Sequence, residues 1–379
     1  MMGVRNLVIS LFAFLIGCAG ETNAPPTPTF HSEGYPEKLS DWGNLIAADG
    51  LLKLGYDVHP YDLATPLFSD YAMKLRTVTL PEGQLADYRQ NDVFDFPVGT
   101  VITKTFYYNE SGDGTVSYGA PGKLVDASLP LTGTRLVETR ILAHRATGWV
   151  AIPYVWDEDQ SDAYLKRTGA VIPLNIQHHD GRREAFAYVT PNQNQCAGCH
   201  APNNTSRELS PIGPKARHLN KASTYHDGFN QLDYWRFAGL LRVTDDQAQS
   251  APSNAVWVEN HKDVSSARDL DARARAYLDA NCSHCHNPKG PADTSGLNLE
   301  PDALGPALGL CKVAIAAGDG AGGRPYDIVP GHPDKSIFVF RMESTKPSEM
   351  MPELGRSLSH AEGVALIRNW IETMDGNCT

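Results

Sequence analysis

The sequence predicts an α+β chain with more than one folded unit: a β-rich unit built on an antiparallel sheet, followed by an all-α unit. Three observations carry this. Short β-branched or alternating runs at 75–80, 98–108, 135–143 and 149–156 are separated by Gly, Pro, Asn and Asp clusters, the pattern of antiparallel strands. Residues 266–280 place Leu270, Ala274, Tyr277 and Leu278 at helical spacing. Residues 359–374 do the same with Val364, Ile367, Trp370 and Ile371, and Ser359 stands three residues before Glu362 as a capping box would. The chain has 379 residues, 41% of them hydrophobic and 20% charged, enough for two or three units each with its own core.

The first 17 residues read as an export signal. Arg5 supplies a positive start, and the apolar stretch 7–16 is shorter than the roughly 18 residues that span a bilayer. It ends in Leu15-Ile16-Gly17-Cys18, which resembles a bacterial lipoprotein cleavage box; that resemblance implies acylation of Cys18, against ordinary cleavage near Ala19. Residues 18–59 then form a Pro- and Thr-rich tether and an entry segment. The β-rich unit covers 60–209, a connecting segment 210–262, and the helical unit 263–379. The expected address is the outer membrane or the periplasmic side of a Gram-negative envelope, held through the lipid anchor. The formal net charge of −11, with no basic run, gives no support to nucleic-acid binding and favours basic partners at encounter.

Seven cysteines sort by position. Cys18 belongs to the lipid. Cys196-Ala197-Gly198-Cys199-His200 and Cys282-Ser283-His284-Cys285-His286 are two C-x-x-C-H pentapeptides. This spacing lets two thioethers reach the two vinyl positions of one porphyrin edge while the adjacent histidine lies under the iron, so each motif predicts a covalent haem c with His200 or His286 as proximal ligand. No further cysteine pair completes a four-thiolate zinc site. Cys311 and Cys378 remain, as a disulfide outside the cytoplasm or as two buried thiols.

The stretch 263–379 resembles a class I cytochrome c, with a helix running into the second motif, a terminal helix, and Met350-Met351-Pro352 between them. That resemblance makes Met351 the distal iron ligand, with Met350 its competitor. Phe96-Pro97-Val98-Gly99-Thr100-Val101-Ile102-Thr103-Lys104, followed by Gly148-Trp149 and the late first motif, is similar to the β-sheet cytochromes whose haem is cross-linked to a lysine, and to their uncross-linked relatives, the cytochromes c′-beta. It places Lys104 at the cross-linking lysine and Arg76 at a distal-pocket arginine, the two candidate catalytic residues. The bland readings are an outward strand lysine and a surface arginine. No counterpart of that family's distal glutamate stands out. Tyr61-Asp62-Leu63 with Pro66-Leu67-Phe68-Ser69-Asp70, the β segment and the two motifs also resemble a family of bacterial dihaem c-type cytochromes, which implies the cofactors but no substrate. Met73, His178, His179, His218 and His226 are the side chains available to the first iron, whose sixth position is otherwise left open to a small molecule.

Two functions follow. One is electron transfer between envelope redox partner proteins. The other is a redox enzyme in which the first haem acts on a small nitrogen species or peroxide and the second carries electrons away.

Overall fold

The computed structural model describes residues 24–259, 266–315 and 317–378. Cys18 and the export segment lie outside them. The strands are β1 (Leu45–Ala48), β2 (Leu51–Leu54), β3 (His59–Tyr61), β4 (Met73–Thr79), β5 (Ala86–Asp87), β6 (Val101–Glu110), β7 (Thr115–Ser117), β8 (Ser128–Pro130), β9 (Thr134–Arg145), β10 (Gly148–Trp156), β11 (Ala163–Leu165), β12 (Ala170–Gln177), β13 (Arg183–Thr190) and β14 (Leu241–Arg242). The helices are α1 (Gln193–His200), α2 (Ala216–Leu219), α3 (Gln231–Phe237), α4 (Asp245–Gln249), α5 (Ala267–Asn281), α6 (Gly305–Leu308), α7 (Ile337–Glu343) and α8 (Ala361–Glu372).

Nine strands form one sheet in the order β11-β10-β9-β6-β7-β12-β13, with β4 also on β6 and β3 on β4. The four strand runs expected from the sequence are β4, β6, β9 and β10. The β12–β13 hairpin was not anticipated; alternate residues such as Val171 and Val189 are exposed, so its apolar pattern is weak. Strand β6 is the middle of the sheet and is covered on both faces. Val101 and Tyr107 join a core with Trp42, Leu45, Leu52 and Tyr154. Ile102, on the opposite face, joins one with Phe94, Phe96, Leu232 and Trp235.

Two expected boundaries move. The tether gives way to folded structure by Pro26, whose carbonyl accepts the Tyr56 N–H (2.7 Å), while the Thr29 N–H donates to the Trp42 carbonyl (2.8 Å). The connecting segment is built into the sheet unit: Trp235 is fully buried and β14 pairs in parallel with β5.

The expected all-α class I cytochrome c unit over 263–379 is overturned. The protein is β-rich, with the curled nine-strand sheet and only about 22% helix. Between α5 and α7 the chain runs through closely spaced glycines and prolines, including Gly290, Pro291, Gly296, Gly309, Gly322, Gly323, Pro325 and Pro330. Glycine loses the most entropy in a helix and proline breaks its ladder, so this stretch folds mostly as turns, single-residue bridges and short 3-10 turns, with the four-residue α6 its one α-helix. The two periodic segments do become helices, but two helices do not specify a helical domain. They are tied to the sheet unit: the Asn281 Oδ1 accepts the Phe68 N–H (2.7 Å), and the Asp70 carboxylate accepts the Ser357 and Leu358 N–H groups (2.7 and 2.8 Å).

Caps follow the sequence only in part. The Ser266 hydroxyl accepts the Asp269 N–H (3.2 Å) at the start of α5. The Ser359–Glu362 box does not form, because Ser359 donates to the Met342 carbonyl (3.1 Å) and Glu362 accepts from the Tyr71 hydroxyl (3.0 Å). Ser266→Ala is expected to lower stability by about 1 kcal/mol, read from a urea midpoint, because it removes the side-chain cap of the first turn of α5; an unchanged midpoint would remove the cap from the account.

Candidate functional site

The first pentapeptide lies on α1, directly after β13. Asn192 caps this helix, its side chain accepting the Gln195 N–H (2.8 Å) while Gln195 reaches back to the Asn192 N–H (2.9 Å). Cys196, Cys199 and His200 stand at i, i+3 and i+4, so the helix presents all three on one side. The second pentapeptide begins at the C-cap of α5 and closes as a turn, the His286 N–H donating to the Cys282 carbonyl (2.9 Å).

The fold brings the two motifs together. The Cys285 Sγ donates to the Gly198 carbonyl (3.3 Å). Ligand atoms of Cys199, His284 and Cys285 all lie within 4.8 Å of one another. The Cys199 thiol is held well below its ordinary value, first by its hydrogen bond with Cys285 and then by His284 against the effect of burial. Burial pushes Cys282 up to about 12. Three donors of this kind suit a soft metal ion, but a structural zinc takes four and no fourth joins the group among the described residues.

A cleft of about 450 Å³ opens beside the second motif, within the range of cofactor sites. Cys282, Cys285 and His286 line it, with Leu297, Leu299, Ile337 and Phe338 as apolar wall. Met351 lines this cleft, whereas Met350 is buried away from it. A smaller cavity of about 100 Å³ adjoins His200, lined by Arg76, Lys104, Arg140 and His218. His284 borders both, so its side chain stands between the two spaces.

Both motif histidines are set up as donors. The His200 Nδ1 faces the Ser210 carbonyl (3.1 Å), which only accepts, so Nδ1 carries the proton and the Nε2 lone pair is free. The His286 Nδ1 faces the Ser295 hydroxyl (3.1 Å), whose own proton goes to the Ala292 carbonyl (2.7 Å), with the same result. Burial lowers each imidazole to about 4, keeping it neutral. A fixed tautomer on a neutral ring is what an iron ligand requires. Two thiols, an oriented imidazole and apolar walls therefore fit haem c at the second motif. At the first, His200 is oriented in the same way, while Cys196 and Cys199 lie outside the lining of the adjoining cavity, which the orphaned buried Nη2 of Arg76, Nε of Arg140 and Nδ1 of His218 border.

Of the side chains considered for the first iron, only His218 lines its cavity. Met73 is in the sheet core. His178 contacts Glu184 (3.1 Å), His179 contacts Glu259 (3.5 Å), and His226 stacks on Tyr234 (3.5 Å). His218 is buried, and its Nε2 contacts Asp279 (3.0 Å). Asp279 also accepts two bonds from Arg217 (2.7 Å each) and one from Asn254 (2.9 Å), and the Ser283 hydroxyl reaches its carboxylate at 3.2 Å. Burial would raise this carboxyl, but Arg217 and His218 hold it well below the ordinary range.

Lys104 and Arg76 are neither outward nor superficial: Arg76 is 6% exposed, and Lys104 is half-buried with its ammonium 4.8 Å from the centre of the Phe106 ring. Sequence reasoning missed Arg140, Arg217 and Asp279. The one signal for Arg140 was its place in the strand run 135–143, two residues after Glu138 and so on the same face; nothing local marks Asp279. Cys311 and Cys378 are joined in a disulfide. No helix among the described residues is long and apolar enough to cross a membrane. No protein-family model, curated protein or solved structure matches this chain.

Proposed function

We propose that this chain is an exported dihaem c-type electron-transfer protein. Haem c is attached at Cys196 and Cys199 and at Cys282 and Cys285, with His200 and His286 as proximal ligands and Met351 as the second axial ligand at the C-terminal site. The observation that supports this reading most is the meeting of the two pentapeptides, with donors of both within 4.8 Å. Groups anchored through Cys199 and Cys285 are immediate neighbours, which suits passage of charge from one to the other. Haem c supplies reversible one-electron transfer when bound. The chain's own part is to anchor, orient and keep dry. Ser210 and Ser295 fix the two imidazole tautomers. The apolar wall of Leu297, Leu299, Ile337 and Phe338 excludes water from the larger cleft. The acidic charge draws basic redox partners at low salt, and Cys18 holds the protein to the envelope.

Intact-mass measurement of the mature protein tests the reading. Polypeptide plus two iron porphyrins is the expected result; polypeptide mass alone, or polypeptide plus zinc, sinks it. Met351→Ala is expected to abolish the thioether-to-iron charge-transfer band, and full retention of that band passes the role to Met342, the other methionine lining the cleft.

A second reading, a redox enzyme working at the first site, draws on the cavity beside His200, where Arg76, Lys104 and Arg140 converge. A high-spin ferric signal from one of two haems, with carbon monoxide or nitric oxide binding there, favours it; two low-spin, fully coordinated haems defeat it.

A further inference from the structure

We propose that the sheet face beside His200 is a receptor for a small oxyanion, held by Arg76, Lys104 and Arg140. Strand register places these three cations in one row. Arg76 on β4 stands opposite Lys104 on β6, and Lys104 stands opposite Arg140 on β9. Directly opposed residues share a face, and like charges so placed repel. The next row toward the middle of the sheet, Lys74, Phe106 and Glu138, adds a fourth cation and a single carboxylate.

That carboxylate is already taken. Glu138 is fully buried and pairs with Arg140, and it also accepts the Tyr188 hydroxyl proton (2.7 Å). Lys74 donates to the Ala72 carbonyl (2.7 Å). Arg76 and Lys104 form no ion pair among the described residues, and the Arg76 Nη2 and Arg140 Nε are buried without a hydrogen-bond partner. Unpaired buried guanidinium is expensive enough that an occupant is the economical explanation. The Arg76 group is more than nine-tenths buried and borders the cavity of about 100 Å³. Ile102 and Leu142 form part of its wall, which strengthens charge pairing by excluding water. Planar guanidinium forks match the geometry of carboxylate and similar oxyanions. The cavity has room for only a few heavy atoms, so the ligand is a formate-, nitrite- or nitrate-sized anion, or a single carboxylate projecting from a larger group. The first source is a free solute. The second is a carboxylate of the group anchored at His200, and that source alone rests on the function proposed above.

The experiment uses the full-length mature protein, with haem content read by mass on the same sample. Sodium nitrate and sodium formate are titrated against sodium chloride at matched ionic strength while the thermal midpoint is followed. A free anion gives a saturable rise of a few degrees that chloride does not reproduce and that Arg76→Gln abolishes. A bound carboxylate gives a wild type indifferent to added anion, while Lys104→Met lowers the midpoint and shifts the reduction potential of one haem downward, because loss of a nearby cation favours the oxidised group. The inference is overturned by a wild type indifferent to anion together with a Lys104→Met variant of equal or higher midpoint and unchanged potentials, the signature of relieved repulsion with nothing bound. Should Arg76→Gln fail to fold, the wild-type titration and Lys104→Met still decide. Absence of added porphyrin mass would defeat the functional reading while leaving the anion titration interpretable.

Discussion

Asp279→Ala is expected to destabilise the protein by about 3–5 kcal/mol in equilibrium denaturation, the range for breaking a buried ion pair by removing one partner. Asp279 is 4% exposed and is the carboxylate partner of both Arg217 and His218. Without it, Arg217 keeps only the bond from its Nη1 to the Asn91 carbonyl (2.7 Å), and a buried guanidinium is left uncompensated. Removing both charges in Arg217→Met/Asp279→Leu is expected to be less damaging than the single change, since no unpaired ion remains. A single-mutant loss under 1 kcal/mol would show that water or rearrangement rescues the site. The sign of the pH dependence follows from the lowered carboxyl. A folded value below the unfolded one means the contribution is fully present above the ordinary carboxylate range near 4, and decays as pH falls toward the folded value. The Asp279→Ala variant should therefore have a flatter stability profile in acid than the parent. Asp279 also sits one turn before the second pentapeptide, on α5, while His218 borders the first cavity, so this network ties α2 to the helix that leads into the second motif.

Cys311→Ser/Cys378→Ser is expected to cost on the order of 4 kcal/mol, because the bond closes a span of 67 residues whose freedom in the unfolded chain it removes. The span contains α7, α8 and the Met351 wall of the larger cleft. In the folded state the core of Leu278, Ile328, Ile367 and Trp370 does not depend on the sulfurs, so the variant should fold with native spectra yet unfold at lower urea and with a steeper slope as the denatured state expands. Reductant added to the parent should reproduce the shift. An unchanged midpoint after verified reduction would place the stability of this region in packing alone.

The β4, β6, β9 and β10 strands were legible because alternation and β-branching act within a few residues. The β12–β13 hairpin was not, because half of it faces solvent. The two helices of the C-terminal part were readable from their apolar periodicity, but the inference from them to an all-α domain failed: periodicity reports the apolar face of one element and is silent about the glycine- and proline-rich chain between elements. Lys104 and Arg76 were legible as candidates only through resemblance; what makes them a site is Arg140 on a third strand, and cross-strand register is a non-local property.

By itself the sequence determined where two C-x-x-C-H pentapeptides and a residual cysteine pair stand, because such a motif is complete within five consecutive residues. Only the tertiary structure decided that the pentapeptides adjoin, that Met351 rather than Met350 lines the larger cleft, and that three cations share one row of the sheet. Those facts depend on which segments pack together, and that choice is made by the whole core at once, through burial and pairing between residues far apart in the chain.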